Sequence, residues 1–373
     1  MICLALAGCG KAALVKPSMS LAQAAAEGNL EQIKLHIQAG ADLNQWNEKG
    51  TTPLNLAVEH DRREAARLLL DRGAKLEAGD EAGNTPLHHA VGNARRELCG
   101  LLMERGANVN ATNKGAITPF LMAVTFGAKE LVPAMLAKGA DVNGRDNAGE
   151  SPLSVCLGDE GHFELAEMLV AHGADVNAKG AHGETLLKLT MLNGRTNLAR
   201  LLIAKGADVN AKGKSTDSPL HLAVMRGYAD CAEALLAKGV DVMARNGASD
   251  TPLHLAVKAG SRGMVELLVA KGADVNAKGF FSFTPLHAAV MNNRKELVEY
   301  LISKGAEVNA KDDWGRTPLH RAVEKNFRDV ADLLVANGAD VNAKEHQEQT
   351  ALQMALASNN QAMADLLKKA GAN

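Results

Sequence analysis

The chain has 373 residues, 46% apolar and 23% charged, a balance that excludes a wholly disordered polymer and suits two or three ordinary domains or one extended array. Its net charge of −2 comes with no basic block, which argues against a protein that wraps duplex nucleic acid. Aromatics are only 3% while glycine reaches 35 residues, so a large core of Phe, Trp and Tyr is not expected, and no run of 18 or more apolar residues is present to span a membrane.

From the N-terminus, Met1-Ile2-Cys3-Leu4-Ala5-Leu6-Ala7-Gly8-Cys9 is apolar and ends in Leu-Ala-Gly-Cys. That ending resembles the lipobox of bacterial lipoprotein signals. The resemblance implies Cys9 as the lipidated residue, Gly10 to Ser18 as a tether, and a lipid-anchored protein facing the periplasm. The segment departs from the pattern in carrying no Lys or Arg ahead of a short apolar run. The other reading of residues 1–18 is an apolar extension that covers the first repeat or frays, and it leaves the protein cytoplasmic.

Residues 19–373 repeat. A Thr/Ser-Pro-Leu triplet or a variant of it begins at Thr52, Thr85, Thr118, Ser151, Thr185, Ser218, Thr251, Thr284, Thr317 and Thr350, every 33 residues with one interval of 34. One step back reaches Met19, and a glycine keeps the same beat from Gly40 to Gly371. Eleven units follow, and the 18 residues ahead of them are too few for a catalytic domain.

The unit at Thr251 shows the plan. Thr251 suits an N-cap and Pro252 the first helical position. Leu253, Ala256 and Val257 form one apolar face of a helix that stops at Gly260. Met264, Val265, Leu267 and Leu268 face inward on a second helix, which ends at Gly272. Helices of about eight to ten residues fall below the length needed for stability alone, so each must bury its apolar side against the next copy. The stretch from Thr118 to Lys212 departs from the plan. Pro133 falls inside its second helix, one loop is longer, and Leu186 stands where the others have Pro. The weakest stacking is expected there.

Thr251-Pro252-Leu253-His254-Leu255-Ala256 and Gly272-Ala273-Asp274-Val275-Asn276-Ala277 resemble the ankyrin repeat family, and the resemblance covers residues 19–373. It implies an all-α repeat solenoid: about eleven helix-turn-helix units, stacked, with β-hairpin-like fingers projecting from one edge. It also implies a non-catalytic scaffold that binds other proteins through its concave face and fingers. A structural role, as an envelope-tethered spacer or a rod that self-associates, is the alternative.

Catalytic and metal chemistry find little support. His88, His221, His254, His287 and His320 form a column at the repeat interval. Helix layers lie about 8–10 Å apart while zinc needs its nitrogens within about 2 Å, so the column cannot share a metal. By the resemblance these histidines bond helix to finger. Cys99, Cys156 and Cys231 read as small buried side chains. Gly213-Lys214-Ser215 imitates the tail of a phosphate-binding loop, but Asp208 stands where its first glycine belongs. Asp312-Asp313 and Asp159-Glu160 read as solvated turn residues, as do the mixed charges of the fingers, including Asp250 and Glu345. No cofactor, small-molecule substrate or nucleic acid is implied.

The eleven aromatics are placed unevenly. Phe280, Phe281 and Phe283 crowd one finger, Trp314 is in the next, and Trp46 in an early one; Phe126 ends a first helix, and Met225 and Met291 hold similar positions. By resemblance, finger tips and the last turn of the first helix are contact positions. Exposed aromatics with Met mark interface centres. Phe280, Phe281, Phe283, Met291 and Trp314 are therefore the expected main patch for a protein partner, with Trp46 and Phe126 as secondary contacts.

Overall fold

The computed structural model describes residues 16–157, 162–180, 183–211 and 216–373. The chain divides into two compact units, Met1–Asp175 and Val176–Asn373. Cys9, Asp159-Glu160, the longer loop of the Ser151 repeat and Gly213-Lys214-Ser215 lie outside the described residues.

In the first unit, helices pair as Leu21–Glu27 with Leu30–Gln38, Pro53–Glu59 with Arg63–Asp71, Pro86–Gly92 with Arg96–Glu104, Pro119–Thr125 with Val132–Ala137, and Pro152–Val155 with Phe163–Ala171. In the second they pair as Leu186–Leu192 with Thr196–Ala204, Pro219–Arg226 with Ala229–Ala237, Pro252–Ala259 with Arg262–Ala270, Pro285–Met291 with Lys295–Ser303, Pro318–Glu324 with Arg328–Ala336, and Ala351–Ala357 with Gln361–Lys369. All are short, and each repeats the same local logic. An extended Thr or Ser caps the first helix, Pro or a substitute takes its first position, and in every repeat whose turn is described a residue with positive φ leads the chain into the second. After Pro252–Ala259 that residue is Gly260, at φ 72°, where the absent Cβ removes the steric cost.

Burial follows the plan with one exception in the Thr251 repeat. Leu253, Ala256, Val257, Met264, Val265 and Leu268 are buried, whereas Leu267 is only partly covered. The small side chains at 57, 90, 123, 223, 256, 289, 322 and 355 are fully enclosed where neighbouring first helices meet. Leu186 begins its helix as well as proline does elsewhere. Pro133 does not interrupt its helix: the helix begins only at Val132, which places the ring in the first turn and shortens the element to six residues. The next first helix, Pro152–Val155, has four.

An asparagine ladder, unforeseen in the sequence, ties successive second-helix ends together. Asn276 accepts from the Glu307 amide at 2.8 Å and donates to the Gly305 carbonyl at 3.0 Å. Asn309 does the same to Asp340 and Gly338, and Asn110 to Asp141 and Gly139. Two rungs are replaced. Glu77 accepts from Asn108 N–H, and the Met243 sulfur is 3.3 Å from Asp274 N.

The fingers are tight turns. Backbone bonds close them in pairs, as Asp80 N–H to Asn84 O with Gly83 N–H to Asp80 O, and Asp312 N–H to Arg316 O with Gly315 N–H to Asp312 O. Bridges of the antiparallel type occur at Lys179–Thr185 and Lys344–Thr350. Neighbouring fingers are also joined, Lys114 N–H to Ala82 O, Asp313 N–H to Phe281 O and His346 N–H to Trp314 O.

Candidate partner-binding surface

The histidine column is the frame on which the fingers hang. His254 Nδ1 accepts from the Thr251 amide at 3.2 Å, which requires its lone pair and leaves the proton on Nε2. That Nε2–H donates to Phe283 O, 2.9 Å away, in the next finger. His88 reaches Ile117 O, His221 reaches Asp250 O, and His287 reaches Arg316 O in the same way. His320 lies beside Thr317 Oγ1 like the rest. Burial pushes all five below the usual histidine range, His287 to about 4, so they stand neutral at neutral pH. Asn55, at the same position, donates to Ala78 O and substitutes amide for imidazole.

On this frame Phe280, Phe281, Phe283 and Trp314 come together. The Phe281 ring lies tilted against Phe280, 3.8 Å between ring centres, and against Trp314 at 4.8 Å. Phe283 is not a free anchor. It is half-buried, stacked on the His287 ring at 5.7 Å and 22°, with the Arg321 guanidinium over its face at 5.2 Å. The same guanidinium lies 5.0 Å from the Trp314 ring centre. Met291 is half-buried at the end of its helix. Phe280, Phe281 and Trp314 remain exposed, Phe281 by 41%.

The backbone under this patch is unusual. Finger tips carry a residue with positive φ at a fixed place, such as Gly50, Gly83 and Gly315. Ser282 occupies that place at φ 57°, and Phe281 before it is also left-handed at φ 54°. Among the described residues no other two adjacent non-glycine positions share this region. For a bulky side chain it carries strain. Gly279 makes room for the arrangement, since a Cβ there would meet Asp250 Oδ1 at 2.5 Å and His254 Nε2 at 2.9 Å.

The finger charges read as solvated are partly buried. Asp312 is enclosed: its carboxylate accepts from Arg321 Nε at 2.8 Å and from the Trp314 and Arg316 amides. Arg321 also donates to Glu324. Asp250 is enclosed too and pairs with Lys258, and Asp80 pairs with His89 at 3.0 Å. The rule is a finger carboxylate reaching a basic residue eight or nine places on in the first helix. That spacing was the signal by which the sequence could have revealed these straps. Glu345 is buried as well, its carboxylate accepting from the Gln347 amide.

Trp46 and Phe126 belong to the first unit. Trp46 borders a surface groove of about 750 Å³ with Leu21, His36, Pro53, Leu56 and His60. Phe126 caps its helix and is 62% exposed. Cys99, Cys156 and Cys231 are buried free thiols, all raised by burial, the first two to about 12. They are inert by burial. Among the described residues no group of three or more His, Cys, Asp or Glu could hold a metal ion, and no helix is long and apolar enough to cross a membrane.

Family models for ankyrin repeats match residues 21–113, 112–180, 179–246, 253–345 and 286–373, with a further match at 228–269. No curated protein sequence matches the chain. Paired short helices, Thr–His latches between helix and finger, and family matches along nearly the whole chain agree: this protein belongs to the ankyrin repeat family, whose repeats are generally protein–protein interaction modules.

Proposed function

We propose that the chain is a non-catalytic scaffold that binds a protein partner chiefly through Phe280, Phe281 and Trp314 on the fingers of its second unit. Phe283 and Arg321 support that surface from beneath. The observation that carries the reading is Phe281, held exposed in a strained left-handed backbone against Trp314. A chain that only needed a turn would place glycine or a small polar residue there. Exposed aromatic clusters of this kind are enriched in interface centres, and each anchor contributes on the order of 2 kcal/mol when fully desolvated. Trp46 with its groove and Phe126 are secondary contacts on the first unit. Met291, half-buried, borders the main patch.

The test is affinity capture with mass spectrometry on the full chain beside a Phe281→Ser/Trp314→Ser variant of unchanged helix content. Loss of the captured protein in the variant supports the reading; equal recovery removes the patch. Concentration-dependent dimers that vanish in the variant would favour a self-associating rod instead. Cys9 remains our proposed lipidation site. Recovery of the protein only from the aqueous phase after detergent partitioning would dismiss it.

A further inference from the structure

Two of the latching histidines hold the fingers that display the aromatic patch. His254 donates from Nε2 to Phe283 O, the same carbonyl that accepts from Gly279 N–H to close the Phe finger. His287 donates to Arg316 O, which also accepts from Asp312 N–H to close the Trp314 finger. The His287 ring in addition stacks on Phe283. Both rings take the Thr amide at Nδ1, so neither can accept a proton there without losing an acceptor. Similar latches hold other fingers, but among the described residues only this finger stores two adjacent left-handed non-glycine residues, one of them aromatic, whose strain is relieved when the closure opens.

We propose that His254 and His287 form an acid-sensitive latch: neutral, they hold Phe280, Phe281 and Trp314 in display, and protonated, they release both fingers without unfolding the helix stack. The groups facing them set the balance. His254 meets the Asp250 carboxylate from its finger, opposed by Lys258 on its own helix and Arg245 from the finger base. His287 meets Asp312 from the next finger, opposed by Arg321 from the next first helix and by His254. Both carboxylates are already paired, Asp250 with Lys258 and Asp312 with Arg321. Each therefore favours an imidazolium only in part, and burial outweighs it. In the open finger the rings regain an ordinary pKa of about 6.5. With His287 held at about 4 when closed, its opening constant alone rises about 50-fold between pH 7 and 4.5.

The experiment uses the full chain carrying Trp46→Phe, which leaves Trp314 as the single tryptophan. Its emission and acrylamide quenching are followed from pH 7.5 to 4.0 beside far-UV circular dichroism. The latch predicts a rise in Trp314 quenching below pH 6.5 while helix content holds. It also predicts loss of that transition in His254→Gln/His287→Gln, which keeps an acceptor and a donor but cannot titrate. Should the double variant lose helix content, His287→Gln alone serves, with the expectation of a reduced transition. Flat quenching, a transition unchanged in the glutamine variants, or quenching that rises only with loss of helix would each overturn the latch. The functional consequence rests on the binding reading and is read separately. If Trp314 titrates as described but capture of the partner is the same at pH 7 and 4.5, the latch stands and the patch is not the contact surface.

Discussion

In the first unit, the repeats at Thr118 and Ser151 carry Leu121 and Ser154 where the repeats at Thr251 and Thr284 in the second carry His254 and His287. Leu121 has no polar atom to reach the next finger, and Ser154 Oγ accepts from its own cap residue, Ser151, at 2.7 Å. Two of the first-unit helices are also shorter. Val132–Ala137 and Pro152–Val155 have six and four residues, against nine and eight in Arg262–Ala270 and Pro252–Ala259. The other first helices, Pro119–Thr125 and Pro285–Met291, both have seven, and Phe163–Ala171 and Lys295–Ser303 both have nine. The lesson is that one side chain per repeat couples the helix layer to the finger layer. Where it is lost, the finger depends on its own turn and on backbone bonds to its neighbours, such as Asn147 N–H to Gly115 O.

Acid should narrow this difference, and with the largest effect. A group whose pKa is lowered by folding contributes stability that is complete above its unfolded value and drains away as pH falls toward the folded one. For His287 that window runs from about 6.5 down to about 4 and is worth up to about 3 kcal/mol. Residues 251–336 should therefore exchange their amides more slowly than 118–157 at pH 7, with the gap closing by pH 4.5. Hydrogen exchange by mass spectrometry, corrected for intrinsic rates, reads it. A gap that is constant with pH would show that the histidines do not carry the difference.

The strained finger is the next place to press. Gly279→Ala pushes a Cβ against Asp250 and His254, both enclosed and already bonded. It should cost about 2 kcal/mol and displace Phe281 with no aromatic changed. Gly115→Ala in a first-unit finger, two places further along the turn than Gly279, meets side-chain atoms only at 3.2 Å or more, and should cost less. Equal midpoints in urea for the two variants would contradict the assignment.

The smallest effect is a gain. Met243→Asn restores the rung by which its neighbours Asn210 and Asn276 bind the following repeat. It should raise stability by about 1 kcal/mol, seen as a higher urea midpoint with an unchanged slope. Asn276→Ala should show the reverse.

Much of this was legible because repetition makes local rules visible many times over. Thr251, Pro252 and Gly260 announce helix start and stop by their chemistry alone, and the 33-residue beat fixes the architecture. Burial depends on geometry and was less legible. Leu267 looked like core and is half-covered, while Asp312, Asp250 and Glu345 looked solvated and are enclosed. Pro133 illustrates the same limit, since a helix can start late rather than be broken. Among the aromatics the composition singled out the finger, yet only the folded packing separates Phe283, clamped by His287 and Arg321, from the exposed Phe280 and Phe281. The backbone strain at Phe281 has no signature in composition, because it arises from closing the turn around Gly279.

The most direct measurement is a hydrogen-exchange footprint of the full chain, free and with the protein it captures, at neutral pH. The account predicts slowed exchange centred on the amides of residues 279–283 and 312–316. Protection confined to the outer faces of the second helices, with those two fingers exchanging as fast as in the free chain, would contradict it.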